Sequence, residues 1–297
     1  MKAEGKWAWW NQYGSVSVDK CIDRAKEAGL DGVIVKVSYP RVQEQFQRAD
    51  IVVATEEYCL PIRPKEHGTR LASAVQNGAK FAAINAEVEW ERAGQSSGTP
   101  METLIGTFRD IHPSIELYAS VDTRGNRTLL PYQRILAEHI VGWMPMIYPL
   151  SFYHARQQGW IAQAFKDCLD TGQRWDDIPV LPTIQTYDNI GKGAVELQIR
   201  ECEDRKVKGY QAYTICHATD EEWAVIVGDS SVVEEDDKDM AWLDGVIVGY
   251  GGRPIVFEVL SGDTTRKTTL TRKEYITFSA LRWIVSPHTH KVEVSLV

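Results

Sequence analysis

Short apolar runs alternate with longer amphipathic stretches along most of this chain, and this alternation limits its fold more than any other feature. Runs such as GVIVK and GWMPMIY have the length and composition of buried strands, whereas the stretches between them repeat apolar residues at helical spacing. The pattern predicts eight strands, at residues 6–14, 31–40, 57–68, 80–90, 115–125, 142–149, 178–189 and 209–218. Eight strands that alternate with helices predict an α/β fold of the closed (β/α)8 TIM-barrel type.

The same alternation also occurs in doubly wound open sheets, which are the alternative. No G-x-G-x-x-G motif follows the first strand and no P-loop motif is present, so the barrel is the better prediction. The third strand is the least regular part of the pattern. Residues 41–57 predict a helix or an excursion, and we place the strand at residues 57–68, although Pro61 and Pro64 are unfavourable in a paired strand.

The chain changes character after the eighth predicted strand. Residues 1–228 of the 297 form the predicted barrel, and residues 229–239 are polar and acidic, which is typical of a linker. Residues 240–297 alternate β-branched and polar residues between glycine-rich turns, so we predict a small all-β C-terminal module. Because a module of this size has a small core, we expect it to pack on the barrel or on a partner chain.

The charge balance and the cysteine pattern exclude several functions. The 33 Lys and Arg residues against 41 Asp and Glu residues give a formal net charge of −8, which argues against a nucleic-acid partner. No run reaches the about 20 apolar residues of a membrane helix, so we expect no membrane partner. The five cysteines lack C-x-x-C spacing and the histidines lack H-E-x-x-H spacing. We therefore expect no disulfide framework, no metal site and no organic cofactor.

Polar side chains collect near the carboxyl ends of the predicted strands, where barrel enzymes have their active sites. Because strand residues alternate between faces, Asn85, Glu87 and Glu89 are predicted to share one face, with Asp122 on the neighbouring strand. Carboxylates at such a position serve as acid, base or nucleophile in glycosidic cleavage. The residues with flat rings or hydrogen-bonding groups at the same end are candidates for substrate binding: Trp9, Trp10, Lys36, Asn85, Tyr118, Tyr148, Gln185, Tyr187 and Tyr213.

Glu87 is the preferred candidate for the catalytic acid. The apolar neighbours Ala86 and Val88 favour its burial, and burial raises the pKa of a carboxyl group. Asp122 and Glu89 are the candidates for the second catalytic carboxylate. The structural alternative is an ion pair between Glu87 and Lys36 or Arg63, within a polar plug whose members satisfy one another.

The segment GAKFAAINAEVEWE resembles a strand of the glycoside-hydrolase-like barrels of phage and bacterial cell-wall proteins. The segments GLDGVIVKVS, ELYASVDTR, GWMPMIYP and GYQAYTICHATDEEWAVI follow in the order that such proteins show, so the resemblance covers residues 7–227. The chain also resembles the muramidases of glycoside hydrolase family 25, which carry Asp-x-Glu on this strand. That resemblance implies Glu87 as catalytic acid. Asn85 stands where the family has Asp, which leaves three possibilities: Glu89 or Asp122 substitutes, an N-acetyl group of the substrate does so, or the barrel only binds glycan.

The leading hypothesis is therefore a glycosidase-like hydrolase of the endolysin or virion-associated lysin type, with bacterial cell-wall or surface polysaccharide as its partner. The chain starts without an apolar run of signal-peptide length, so we expect synthesis in the host cytoplasm and transport by a virion or release at lysis. The β module is expected to bind cell wall or other virion proteins.

Two other functions remain as alternatives. The first is a non-catalytic TIM-barrel virion component that binds glycan or a partner protein; a barrel mouth capped by residues 41–57 would favour it. The second is a lyase or isomerase of small molecules, which would have a phosphate site near Gly191-Lys192-Gly193.

Overall fold

A computed structural model describes residues 4–13, 16–122, 130–153, 158–169 and 178–228, together with five strands in the C-terminal part of the chain. The chain divides into two compact units, Met1–Ser230 and Ser231–Val297. In the part of the chain that the structure describes, no helix is long and apolar enough to cross a membrane.

The first unit is a closed barrel of eight parallel strands, which confirms the predicted barrel fold. Each strand pairs with the next one along the chain, and the eighth pairs with the first, so no strand of the barrel has a free edge. The strands are β1 (Gly5–Trp10), β2 (Gly32–Lys36), β3 (Val53–Tyr58), β4 (Ala82–Ala86), β5 (Leu117–Val121), β6 (Gly142–Ile147), β7 (Thr183–Gln185) and β8 (Gly209–Tyr213).

Helices follow the strands and cover the outside of the barrel. Four of them begin at a proline, a residue that suits the first helical turn because its missing N–H would have no helical partner there. The helices are α1 (Val18–Glu27), α2 (Pro40–Arg48), α3 (Pro64–Gln76), α4 (Val88–Ala93), α5 (Gly98–Ile111), α6 (Pro131–His139), α7 (Pro149–Tyr153), α8 (Gln158–Leu169), α9 (Lys192–Asp204) and α10 (Asp220–Val227), with a short 3-10 helix at Gly94–Ser97.

The predicted position of the third strand was wrong. The strand is Val53–Tyr58, in the register Val33↔Val53 with β2 and Tyr58↔Asn85 with β4, and not residues 57–68. Pro61 and Pro64 lie in the following loop and at the start of α3, because proline has no N–H to give to a strand ladder. In this register the Glu56 side chain lies inside the barrel and has no exposed surface.

The lower interior of the barrel is filled by aromatic rings. Trp7 packs edge-on against Phe81 with ring centroids 4.8 Å apart, and Phe81 packs against Tyr118 at 4.7 Å. Glycines make room for these rings: a Cβ at Gly32 would lie 2.3 Å from the Trp7 ring, and one at Gly142 would lie 2.8 Å from the Tyr118 ring. The interior is therefore a packed core, and open space is left only towards the carboxyl ends of the strands.

The barrel closes where β8 meets β1. A Cβ at Gly209 would lie 2.2 Å from the backbone oxygen of Gly5, so the two strands approach too closely for any side chain there. Arg24 of α1 is almost fully buried and donates hydrogen bonds to the Ile215 carbonyl and the Asp220 carboxylate, both at 2.7 Å. These contacts fasten the last helix of the barrel to the first.

The described residues of the second unit form five strands: β9 (Val246–Val248), β10 (Ile255–Ser261), β11 (Thr264–Leu270), β12 (Tyr275–Thr277) and β13 (Thr289–Leu296). An antiparallel sheet has the order β11-β10-β13, and β12 pairs with β9 in a separate antiparallel ribbon. The predicted linker at residues 229–239 lies outside the described residues.

Candidate active site

A cavity of about 370 Å³ opens among the carboxyl ends of the barrel strands. Seven of the candidate residues line it together with Ser120 and Met146: Trp9, Asn85, Glu87, Asp122, Tyr148, Tyr187 and Tyr213. They come from six different strands or the loops that follow them. The alternation of strand faces thus brings residues far apart in sequence to one place, which we call the active-site cavity.

Glu87 lies between the end of β4 and the start of α4. Its carbonyl oxygen accepts a hydrogen bond from the Trp90 N–H at 3.0 Å, which fixes the backbone at this turn. Burial raises the pKa of the Glu87 carboxyl, and the negative charge of Asp122 raises it further, while hydrogen bonding to the Asn85 side chain acts in the opposite direction. Glu87 therefore keeps its proton to a higher pH than an exposed glutamate does, as a general acid must.

Glu56 is a second acidic group of this site, and the sequence prediction missed it. It has no exposed surface, and burial raises its pKa to about 7, against the smaller opposing effects of the Lys36 charge and of the Asn85 side chain. Neither Glu56 carboxyl oxygen has a hydrogen-bond partner among the described residues. Glu57 and Glu87 raise this pKa as well. The Asn85 side chain thus lies next to both the Glu56 and the Glu87 carboxyl groups. The alternation of Ala54, Glu56 and Tyr58 in the sequence could have indicated that Glu56 points inward. It was overlooked because the third strand was predicted at residues 57–68.

Four aromatic rings form one wall of the active-site cavity. Tyr148 lies 5.5 Å from both Tyr187 and Tyr213, measured between ring centroids, and Trp9 lies 6.0 Å from Tyr213. The Tyr187 hydroxyl is 2.7 Å from the Ser151 hydroxyl. Burial raises the pKa of Tyr213 to about 12 and that of Tyr148 well above its usual value, so both phenols stay protonated at neutral pH and can donate hydrogen bonds.

Four predicted substrate-binding residues are not brought to this cavity, namely Trp10, Lys36, Tyr118 and Gln185. Trp10 points to the outer face of β1, where its ring packs against Tyr39 at 5.2 Å. Tyr118 lies lower in the barrel, in the packed core. Gln185 is fully buried, and its side-chain oxygen accepts hydrogen bonds from the backbone N–H groups of Leu150 and Ser151, so it holds the start of α7.

Glu89 does not share the strand face of Glu87 as the sequence analysis expected. The strand ends at Ala86, and Glu89 belongs to the first turn of α4, where its carboxylate accepts a hydrogen bond of 2.5 Å from the Tyr58 hydroxyl. Trp90, which follows it, is fully buried and donates its indole N–H to the Cys59 carbonyl. Lys36 lines a neighbouring cavity.

The described residues contain no group of three histidine, cysteine, aspartate or glutamate side chains placed to bind a metal ion. At the Gly191-Lys192-Gly193 turn, the Gly191 N–H donates to the Glu222 carboxylate at 2.7 Å. A carboxylate thus occupies the backbone donor that a phosphate would need.

No protein-family model and no curated protein matches this sequence. Solved structures give distant similarities to barrels of glycoside hydrolases. A chitinase from Chromobacterium violaceum matches with a TM-score of 0.56 and 11% identity, over 75% of this chain and 98% of that chain. A class V chitinase from Pseudomonas fluorescens matches with a TM-score of 0.52 and 10% identity, over 75% and 98% of the two chains.

A third similar structure is the glycoside hydrolase family 2 β-galacturonidase of Eisenbergiella tayi. Its TM-score is 0.56 at 9% identity, over 76% of this chain and 51% of that chain. At such identities the similarity shows the fold, a barrel of the type found in glycoside hydrolases, and the function has to be argued from the site itself.

Proposed function

We propose that the barrel is a glycosidase that acts on bacterial cell-wall or surface polysaccharide, with Glu87 as its general acid. The observation that carries the proposal is the composition of the active-site cavity, where Glu87 and Asp122 face a wall of four aromatic rings. Carboxylates supply the acid and the base or nucleophile of glycosidic cleavage, and aromatic faces suit the apolar faces of sugar rings. The glycosidase fold of the similar structures agrees with this assignment.

In the proposed reaction, Glu87 donates its proton to the glycosidic oxygen as the bond to the leaving sugar breaks. Positive charge then develops on the remaining sugar, and Asp122 stabilises that charge or accepts a proton from the water that attacks the anomeric carbon. The protonated hydroxyls of Tyr148 and Tyr213 are placed to donate hydrogen bonds to the sugar or to an N-acetyl carbonyl. Glu89 has no part in this scheme, because it hydrogen bonds to Tyr58 outside the cavity lining.

Because position 85 holds Asn85 and not an aspartate, another group must act as the second reacting group. The two candidates are Asp122 and the N-acetyl group of the substrate. Hydrolysis of a chemically deacetylated glycan distinguishes them. If Asp122 fills the role, the deacetylated and the acetylated glycans are both cleaved and Asp122→Asn slows both reactions. If the N-acetyl group fills it, the deacetylated glycan resists cleavage.

The first test compares the clearing of peptidoglycan suspensions by the wild type and by Glu87→Gln, with product masses read by mass spectrometry. Removing a general acid costs about 10²–10⁴-fold in rate, so we expect clearing to be lost while the helical circular dichroism is unchanged. Glu102→Gln, an exposed carboxylate on α5, is the matched control and should clear as the wild type does. Equal clearing by Glu87→Gln would refute the assignment of the acid.

The second candidate function is a non-catalytic barrel that binds glycan or a partner protein, and Asn85 in place of the aspartate of family 25 muramidases favours it. The position of residues 41–57 argues against the non-catalytic barrel. These residues belong to α2, β3 and the loop between them, so they are part of the barrel wall and not a cap over the mouth. If the wild type clears none of a panel of walls and capsules but sediments with one of them, the barrel is a binding protein.

We further propose a phage setting, either as an endolysin or as a virion-associated lysin whose β module contacts cell wall or virion proteins. The support is the resemblance of residues 7–227 to barrels of phage cell-wall proteins. Immunodetection in purified particles distinguishes the two settings, since a virion-associated lysin co-purifies with particles and an endolysin stays in the lysate.

A further inference from the structure

A second cavity, of about 270 Å³, lies beside the active-site cavity at the same end of the barrel. Its walls come from β1, β2, β3 and α3 and the loops between them, and none of its lining residues lines the active-site cavity. The two are neighbours, because Tyr58 of the second cavity is the register partner of Asn85, and Asn11 donates a hydrogen bond to the Tyr213 hydroxyl at 3.5 Å. At this volume the second cavity accepts one sugar-sized group.

The second cavity offers cationic and hydrogen-bond donor groups. Lys36 is half-buried in its wall, and its ammonium group makes no hydrogen bond or ion pair with any other residue that the structure describes. His67 is buried, and its Nε2 has no hydrogen-bond partner among the described residues. Ser38 adds a hydroxyl group.

The one carboxylate in this wall is already paired. Glu57 Oε1 lies 2.7 Å from His67 Nδ1 and 3.2 Å from the Arg70 guanidinium group, so its charge is compensated inside the wall. Lys36 also lies beside its register partner Glu56, and the Lys36 charge lowers the pKa of that carboxyl. Because burial still raises the Glu56 pKa to about 7, Glu56 compensates the Lys36 charge only in part at neutral pH, and Lys36 lines the second cavity. The active-site cavity next to it carries Glu87 and Asp122 and has the opposite charge character. A negatively charged group on a glycan is therefore repelled by the first cavity and attracted by the second.

We propose that the second cavity binds the carboxylate of an acidic sugar, whose neighbour in the same glycan occupies the active-site cavity. This inference rests on the proposed glycosidase function and adds that the substrate is an anionic polysaccharide. Lys36 supplies the charge and the Ser38 hydroxyl donates a hydrogen bond to the carboxylate, while His67, whose Nδ1 faces Glu57, offers Nε2 as an acceptor for a sugar hydroxyl. Binding of the acidic sugar in the second cavity also fixes which glycosidic bond of the polysaccharide lies next to Glu87.

Isothermal titration calorimetry on the full chain tests the proposal with pairs of probes that differ only in charge. One pair is the disaccharide of N-acetylglucosamine and N-acetylmuramic acid and its carboxyl methyl ester. The other pair is a glucuronic-acid-containing disaccharide and its methyl ester, and the two pairs distinguish a lactyl carboxylate from a uronate. A charge-assisted hydrogen bond corresponds to about tenfold in affinity, so we expect at least one acid to bind about tenfold more tightly than its ester.

Lys36→Met should abolish this preference by weakening the binding of the acid about tenfold, to the level of the ester, and Lys80→Met is the matched control. Lys80 is exposed and precedes β4, at the opposite end of the barrel, so its loss should not alter the preference. The preference should also shrink as salt is added. Equal binding of acid and ester by the wild type, no binding of either, or free acetate that binds as tightly as the acidic sugar would each overturn the proposal. Because binding is measured without turnover, a preference for acid in a protein that cleaves nothing would uphold this site while refuting the glycosidase.

Discussion

Replacing Glu56 by glutamine should make the stability of this protein less sensitive to a rise in pH from about 4.5 to about 7. Glu56 has no exposed surface, and burial raises its pKa from the usual 4.5 to about 7. Below 4.5 the carboxyl is protonated in both the folded and the unfolded chain, so its ionisation costs the fold nothing. As the pH rises from 4.5 to about 7, the unfolded chain releases this proton first and the folded state loses stability. Above about pH 7 the loss is constant.

The pKa difference gives the size of the effect. Each pKa unit corresponds to about 1.4 kcal/mol, so the rise from 4.5 to about 7 removes about 3 kcal/mol of stability from the wild type at high pH. Glu56→Gln keeps the shape of the side chain and has no charge to bury. The free energy of unfolding of the variant minus that of the wild type should therefore increase by about 3 kcal/mol between about pH 4 and about pH 8.

Urea denaturation at several pH values, followed by helical circular dichroism, measures this difference. The described helices all belong to the barrel, so the signal reports on that unit. Glu196→Gln, an exposed carboxylate on α9, is the control and should show no such trend. A difference for Glu56→Gln that stays flat with pH would refute the conclusion that Glu56 carries a buried, destabilising charge at high pH.

Two further predictions concern the barrel framework. Gly209→Ala should cost about 3 kcal/mol or more in denaturant unfolding, because its Cβ would lie 2.2 Å from the Gly5 carbonyl oxygen. Gly106→Ala, on the exposed face of α5 with nothing within 4 Å, should instead be neutral or stabilise by up to about 1 kcal/mol. Gln198→Ala should lower stability by about 2–4 kcal/mol, since this side chain makes two 2.9 Å hydrogen bonds to the backbone N–H and C=O of Gln185. An unchanged thermal midpoint in Gln198→Ala would show that those backbone groups find other partners.

The sequence was sufficient to predict the barrel because two periodicities repeat along residues 5–227, with the region of the third strand as the irregular part. Alternating faces predicted Asn85 and Glu87 inside the barrel, and both residues line the active-site cavity. The third strand was misplaced, since the apolar start at Val53 is followed by two glutamates that read as a surface segment. Only pairing with β2 and β4 shows that Glu56 is enclosed.

How deep a side chain lies along the barrel axis, and the residue at which a strand ends, depend on contacts between strands and not on the alternation within one strand. Tyr118 has the same strand face as Asp122, yet it lies in the packed core, because the position of β5 between β4 and β6 puts it lower in the barrel. Glu89 leaves the face of Glu87, because the chain turns into a helix directly after Glu87. Periodicity reports the direction of a side chain within one strand and carries no information on how far neighbouring strands are shifted.

The sequence by itself therefore determined the barrel, the end at which polar groups collect and the identity of Glu87 as the leading acid candidate. The tertiary structure decided which of those groups meet: it placed Glu56 beside Asn85 and Glu87, and Lys36 in a separate cavity. The outward direction of Trp10 follows already from the alternation that turns Trp9 inward. The physical reason is that the side of the sheet to which a side chain points follows from the local geometry of one strand. Burial, pKa and hydrogen-bond partners follow from strands and helices that are distant in sequence and adjacent only in the closed barrel.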